Sequence, residues 1–272
     1  GAGSLAVLGS HRPRHRCTVL SDWITGIVRP VYGLRDPRRG RLEGMAHTLS
    51  APERELIDSI CARYATWAPE EPGAPHMEHA ISAGLSNQSF LLQGTQRYVL
   101  RIAAGAEPPG VNRHREKLFH ESAASASLAP PIRLIDAKRG LLITDYLEPA
   151  MNNRGTAALA ELLRGIHKLN IFESSSSLAH RLQLWDQLRK DDSAVSQLVE
   201  SRGNVYEDLM HRVSELDETP SVPCHNDLLA ANRRQGDGRL MAIDWEYADC
   251  GHPFFDLAVC GSELARSERL QL

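Results

Sequence analysis

The sequence contains no run of 18 apolar residues, so it offers no helix that would cross the hydrocarbon of a bilayer. It also lacks a basic excess. A formal net charge of −3 at pH 7 is the wrong sign for a nucleic-acid binder. Cysteine is scarce: Cys17, Cys61, Cys224, Cys250 and Cys260 are odd in number and form no CxxC pair. That excludes a disulfide framework and points to a reduced, cytoplasmic compartment. Cys250, His252 and Cys260 could be pressed into a metal site. They lack the two tight ligand pairs of structural zinc and read as core and loop residues. No feature calls for an obligatory protein partner.

What is present is an ordinary globular composition, 42% hydrophobic and 24% charged, over 272 residues. That length suits one large domain or two small lobes. Residues 1–44 differ from the rest, with eight arginines, no lysine and no amphipathic period. A basic arm and an arginine-rich transit segment both fit that bias. The expectation is an extension that is disordered or foreign to the natural product, with Met45 as a natural start.

From there the local signals are clearer. Ser50, Pro52 and Glu53 form a helix start, and a helix is predicted from about Pro52 to Trp67. Residues 68–76, rich in Pro, Glu and Gly, read as a linker. Phe90–Leu92 and Tyr98–Ile102 read as a hairpin around Gln93–Gln96. Asn112 to Leu128 reads as a helix ended by Pro130 and Pro131. Ile132–Ile135 and Leu141–Thr144 form a second hairpin. The order hairpin, helix, hairpin predicts a small sheet with one helix. From Thr156 the period is helical, and further helices are expected over about 178–198 and 205–216.

The informative segment is Pro223-Cys224-His225-Asn226-Asp227-Leu228-Leu229-Ala230-Ala231-Asn232, followed twelve residues later by Ile243-Asp244-Trp245-Glu246-Tyr247. The pattern is His-x-Asp-x4-Asn and then an Asp behind an apolar strand. Phosphoryl transfer needs a group that orients the attacking hydroxyl and takes its proton, plus a few oxygen ligands for Mg²⁺. An Asp and an Asn on one loop can divide those tasks, and a second Asp completes the metal set. Gln235-Gly236-Asp237-Gly238 is a turn signal that would fold Asn232 and Asp244 back beside each other.

These motifs, with Gly251-His252-Pro253-Phe254-Phe255-Asp256-Leu257-Ala258, resemble the choline/ethanolamine kinase and aminoglycoside phosphotransferase superfamily. The resemblance covers roughly residues 79–262. It implies an α+β, two-lobed protein-kinase-like fold. A small antiparallel-sheet N-lobe (45–147) would bind nucleotide, and a mainly helical C-lobe (148–272) would carry the catalytic loop. It implies ATP and Mg²⁺ as cofactors. Asp227 would be the catalytic base, with His225 bracing its loop. Asn232 and Asp244 would hold Mg²⁺, and Asp256 would be structural. Gly84-Leu85-Ser86-Asn87 resembles the family's phosphate loop, so Ser86 and Asn87 would meet nucleotide. Arg101 stands where protein kinases carry a phosphate-binding lysine, and Glu116 would pair with it. Asp145 to Glu148, including Leu147, would be the hinge whose backbone meets adenine.

The acceptor implied is a small cationic alcohol of choline, ethanolamine or thiamine type. Trp245, Tyr247, Trp185 and Glu246 are candidates for its cage. An aminoglycoside acceptor is the alternative within the class. A kinase-like binding module without catalysis is the alternative outside it. Two departures stand out. Arg233 and Arg234 replace the apolar residues the family has after Asn232, which is expected to weaken that strand. The chain also ends at Leu272, short of further helices the resemblance implies, so the acceptor side reads as truncated.

Overall fold

The computed structural model describes residues 49–83, 87–105, 107, 110–150, 155–171, 197, 200, 211, 221–269 and 271–272. Several expectations lie outside them: the 1–44 extension, Gly84 to Ser86, Trp185, and most of the helices expected over 178–198 and 205–216.

Helix α1 (Ala51–Ala62) begins as its sequence dictates. The Ser50 hydroxyl accepts from the Glu53 amide, and the Glu53 carboxylate accepts from the Ser50 amide at 2.8 Å. The helix stops before the expected Trp67. A 3₁₀ turn over Tyr64–Thr66 swings the buried Trp67 back, so that its indole N–H donates to the Ile60 carbonyl at 3.1 Å. Ile57, Ile60 and Trp67 then pack on one face of a sheet built from β1 (His76–Ala83), β2 (Asn87–Gln93), β3 (Arg97–Ala103), β4 (Ile132–Asp136) and β5 (Leu141–Asp145). The strand order is β1-β2-β3-β5-β4, and every pair is antiparallel. Phe90, Leu92, Tyr98, Leu100 and Ile143 are buried against α1. Because side chains alternate along a strand, Arg101 points to the opposite face.

The residues read as a linker are more than a spacer. Glu71 is buried beneath the β2–β3 turn. Its carboxylate accepts from the Thr95 and Gln96 amides (2.7 and 3.0 Å), the Thr95 hydroxyl (2.8 Å) and the Tyr98 hydroxyl (2.7 Å). Gly94 is required here, since a Cβ would stand 2.8 Å from that carboxylate.

Helix α2 (Arg113–Ser125) is capped by the Asn112 side chain, which accepts from the His114 and Arg115 amides at 3.1 Å each. It buries Arg113, Glu116, Phe119, His120 and Ala123 on one side. Beyond β6 (Glu148–Pro149), helix α3 (Gly155–Ile166) buries Leu159, Leu162, Leu163 and Ile166, the period read from the sequence. These join Phe119, Leu228, Leu240, Trp245 and Cys260 in a second core.

Strands β7 (Val222–Cys224), β8 (Arg233–Gly236), β9 (Arg239–Ala242) and β10 (Asp249–Gly251) flank the loop motifs. β8 and β9 meet in a tight turn in which Asp237 and Gly238 both have positive φ, +46° and +77°. That conformation favours an Asp-Gly pair. The two arginines do not weaken β8, which pairs with β6 on one side and β9 on the other. Their guanidinium groups curl back onto the preceding loop. Arg233 donates twice to the Leu228 carbonyl (3.2 and 2.8 Å), and Arg234 donates to that of Ala231 at 2.8 Å. Helices α4 (Pro253–Gly261) and α5 (Arg266–Arg269) follow. None of the helices among the described residues is long and apolar enough to cross a membrane.

Candidate active site

The loop between β7 and β8 is held from below by Asp256, which is fully buried in the first turn of α4. Its carboxylate accepts from the His225 and Asn226 amides at 3.0 and 2.6 Å, and it meets the His167 ring at 3.0 Å. His225, also fully buried, acts as an internal strut. Its Nδ1 accepts from the Asp227 amide at 3.3 Å, and its Nε2 faces the Ile243 carbonyl at 3.0 Å. An acceptor at one nitrogen and a donor at the other define the neutral tautomer. Burial favours the same state by pulling the imidazole below its ordinary value, against the pull of Asp256 and Asp244.

Strut and anchor bend the chain sharply. Asn226 and Asp244 both sit in the left-handed region, at φ +66° and +64°, which is uncommon for residues other than glycine. Asn226 is secured there by its side-chain amide, which donates to the Tyr247 carbonyl at 3.0 Å. The Ile243 amide donates to the Asn232 carbonyl at 3.0 Å, joining the two motifs just beyond the β8–β9 hairpin. Asn232 and Asp244 therefore flank the strands rather than lying in them.

Asp227, Asn232 and Asp244 come together as a group. The Asn232 amide nitrogen donates to the Asp227 carbonyl (2.8 Å) and carboxylate (2.9 Å). Both partners are acceptors, so the NH₂ orientation is chemically determined and the Asn232 oxygen faces the other way. Burial above all, and then the nearby Asp244 carboxylate, push the Asp227 carboxyl up to about 8, against the Asn232 hydrogen bond. Asp244 in turn accepts from Arg101 at 2.7 Å, and Arg101 is also paired with Glu116. Burial alone would lower the Arg101 value, but the charges of Glu116 and Asp244 raise it.

Other expected residues are placed differently. Trp245 is fully buried in the second core, with its indole donating to the Ala242 carbonyl at 3.1 Å and its ring 4.6 Å from that of His225. It cannot face an acceptor, because it is the packing partner of the strut. Glu246 is buried too and accepts from Asn87 at 2.7 Å. The Asn87 side chain is thus turned toward Glu246 rather than toward a phosphate. Asp145 accepts from Arg133 at 2.5 Å, and its amide donates to the Pro131 carbonyl, so neither group is available to a nucleotide. Leu147 lies beside Gly236 of β8, and Tyr247 is half-buried. Ser86 is outside the described residues.

Sequence reasoning passed over Arg113, Arg115 and His120, of which the first and last are buried. Arg113 bonds Glu116 and Asn87, and Arg115 pairs with the buried Asp249 at 3.1 Å. The three-residue step from Arg113 to Glu116 was the available signal. His120, one turn beyond Glu116, is buried, and among the described residues neither ring nitrogen has a hydrogen-bond partner. Burial, with Arg101 nearby, pulls it down to about 3, so it is neutral. The Cys250 and Cys260 thiols face separate carbonyls, those of Ile171 and Leu228. Among the described residues, only His167, Cys224 and Asp256 cluster at ligating distance, and the Asp256 oxygens are already engaged by backbone amides.

A site of this form invites comparison with known proteins. The model of the phosphotransferase enzyme family matches residues 79–271. The chain belongs to that family. Among curated relatives, the Haemophilus influenzae protein LicA is 28% identical over 207 residues, 71% of this chain and 61% of that protein. The chain thus spans about three fifths of that relative's length. Among solved structures, the choline kinase LicA from Streptococcus pneumoniae has a TM-score of 0.61 at 22% identity, covering 80% of this chain and 78% of that one. LicA in complex with AMP has a TM-score of 0.58 at 21% identity, covering 79% and 78%. These structures share the fold, which is the kinase-like arrangement of an antiparallel sheet beside a helical region.

Proposed function

We propose that this phosphotransferase moves the γ-phosphoryl group of ATP onto the hydroxyl of a small cationic alcohol of the choline, ethanolamine or thiamine type. The observation carrying the reading is the meeting of Asp227, Asn232 and Asp244 with the Glu116-paired Arg101. The likeness to the choline kinase LicA from Streptococcus pneumoniae supports this acceptor class, and the LicA structure in complex with AMP supports an adenine nucleotide as donor.

In this reading Asp227 receives the hydroxyl proton as the acceptor oxygen bonds to the γ-phosphorus. The bond to the bridging oxygen breaks, and ADP leaves. Burial raises the proton affinity of Asp227, and a cation held at Asn232 and Asp244 would draw it down toward the ionised form that accepts a proton near neutral pH. Asn232 orients it through the paired hydrogen bonds. Arg101 offers a planar fork to phosphate oxygens. The Asn232 amide oxygen and the Asp244 carboxylate are hard oxygen donors of the kind Mg²⁺ takes, and they fit that ion. Bound there, Mg²⁺ would offset the charge developing on the phosphates. Leu147 would present backbone to adenine.

The test is ADP release from Mg-ATP with choline, ethanolamine, thiamine and an aminoglycoside such as kanamycin. One of the three small alcohols should raise turnover well above the background without acceptor. Turnover with the aminoglycoside alone would reassign the acceptor. Failure of the protein to bind Mg-ADP would remove the nucleotide reading and favour a kinase-like binding module.

A further inference from the structure

Arg113, the first residue of α2, is buried to 5% exposure, yet its guanidinium reaches three elements. It donates to the second oxygen of Glu116 at 2.9 Å, to Glu246 at 3.4 Å, and to the Asn87 side-chain oxygen at 3.0 Å. Its Nε lies 3.6 Å from the Glu107 carboxylate. Asn87 closes a triangle by donating to Glu246 at 2.7 Å. The other Glu116 oxygen holds Arg101, and Arg101 holds Asp244. A continuous polar chain therefore runs from β2, through the turn after Asp244 and the first turn of α2, to Arg101.

We infer that Arg113 is a positioning residue for the nucleotide site: it sets the plane of Glu116, and so the aim of Arg101, and ties β2 to the turn that follows Asp244. The inference rests on the proposed function. A carboxylate gripped at one oxygen keeps a free torsion, whereas one gripped at both oxygens by two guanidinium groups does not. Charge gives a second reason. Without Arg113, Glu116 would keep one of its two guanidinium partners, and Glu246 would lose the guanidinium 3.4 Å away. Two buried anions would lose compensation, and Arg101 would be drawn among them. Lysine could restore the charge. A compact ammonium could not hold Glu116, Glu246 and Asn87 together in one plane.

This difference supplies the test. Mg-ADP affinity is measured by calorimetry for the parent, Arg113→Lys, Arg113→Gln and Asn87→Ala, alongside melting temperatures and steady-state kinetics. Arg113→Lys should keep its melting temperature close to the parent's, yet bind Mg-ADP about tenfold more weakly. KM for ATP should rise in step while kcat stays within about threefold, because among the described residues no hydrogen bond joins Arg113, Glu116 or Arg101 to Asp227 or Asn232. Arg113→Gln should lose more on both counts. Asn87→Ala leaves the Glu116 grip in place, so it should weaken binding less than Arg113→Lys does. Parental affinity in Arg113→Lys would overturn the inference, as would a larger loss in Asn87→Ala. A fall in affinity that merely tracks melting temperature across the variants would overturn it too. A parent that does not bind Mg-ADP would instead sink the proposed function.

Discussion

Two carboxylates, Glu71 buried under the β2–β3 turn and Asp227 half-buried in the loop after β7, face opposite ways in proton affinity. Both are taken out of water, which by itself raises a carboxyl's value. At Glu71 two amides and two hydroxyls outweigh that penalty and hold the group at about 2. At Asp227 a single side-chain amide opposes burial and the charge of Asp244, and the group rises to about 8. In the proposed reading, the contrast separates a structural anion from a reactive one. Desolvation is common to both, and the supply of donors differs. A fully satisfied carboxylate staples a hairpin. An under-satisfied one beside another carboxylate is poised to take a proton.

The largest effect that would break this contrast lies at Asp227. Asp227→Asn keeps an oxygen for the Asn232 amide but removes the proton acceptor. Turnover with an identified acceptor should fall by about 10²–10⁴-fold, while calorimetry should find Mg-ADP binding close to that of the parent. The same variant reports on stability. The folded chain binds the Asp227 proton up to about pH 8, against an ordinary value of 3.8. Between those values the native state holds the extra proton, so this group lowers stability as pH rises. Melting curves should therefore show Asp227→Asn more stable than the parent at pH 8 and nearly equal to it near pH 4. Equal melting temperatures at pH 8 would mean that the carboxyl is not strained by burial.

Glu71 has the reverse sign. Its carboxyl is held below its ordinary value of 4.5, so its contribution is fully present above that value and fades as pH falls toward 2. Glu71→Gln should cost about 1–3 kcal/mol at pH 7 in denaturant unfolding, and the gap should narrow below pH 4.5. A neutral result at pH 7 would reduce the staple to a passive contact. The smallest effect is expected at the exposed pair Arg97–Glu148, 2.5 Å apart with half-exposed side chains. Glu148→Ala should leave the melting temperature close to the parent's, and a clear loss would reveal a role for the strand connection around Tyr146.

Much of the fold was legible because its signals are local. The capping box at Ser50, the apolar steps of α3 and the Asp237-Gly238 turn are each decided within a few residues. The order hairpin, helix, hairpin came from the strand-like runs at Phe90–Ile102 and Ile132–Thr144 on either side of α2, and the structure adds β1 as a fifth strand of the same antiparallel sheet. The site was partly legible for the same reason. One loop spaces Asp227 from Asn232, and one hairpin returns the chain to Asp244. What was misread depends on burial. Trp245 and Glu246 read as candidates for the acceptor's cage; Trp245 is core, and Glu246 is buried and bonded to Asn87. Arg233 and Arg234 looked disruptive, but their long side chains reach back to carbonyls of the loop.

The sequence by itself determined the element order, the turn that returns Asp244 to Asn232, and the residue types able to hold a phosphate, a metal and a proton. Only the tertiary structure decided which of those groups share a charge. Asn87 and Glu246 bond across 159 residues, and Arg101 and Asp244 across 143. Periodicity and turn chemistry act over a few residues, whereas desolvation and charge pairing depend on which elements pack together. The raised proton affinity of Asp227 and the grip of Arg113 on Glu116 arise from that packing.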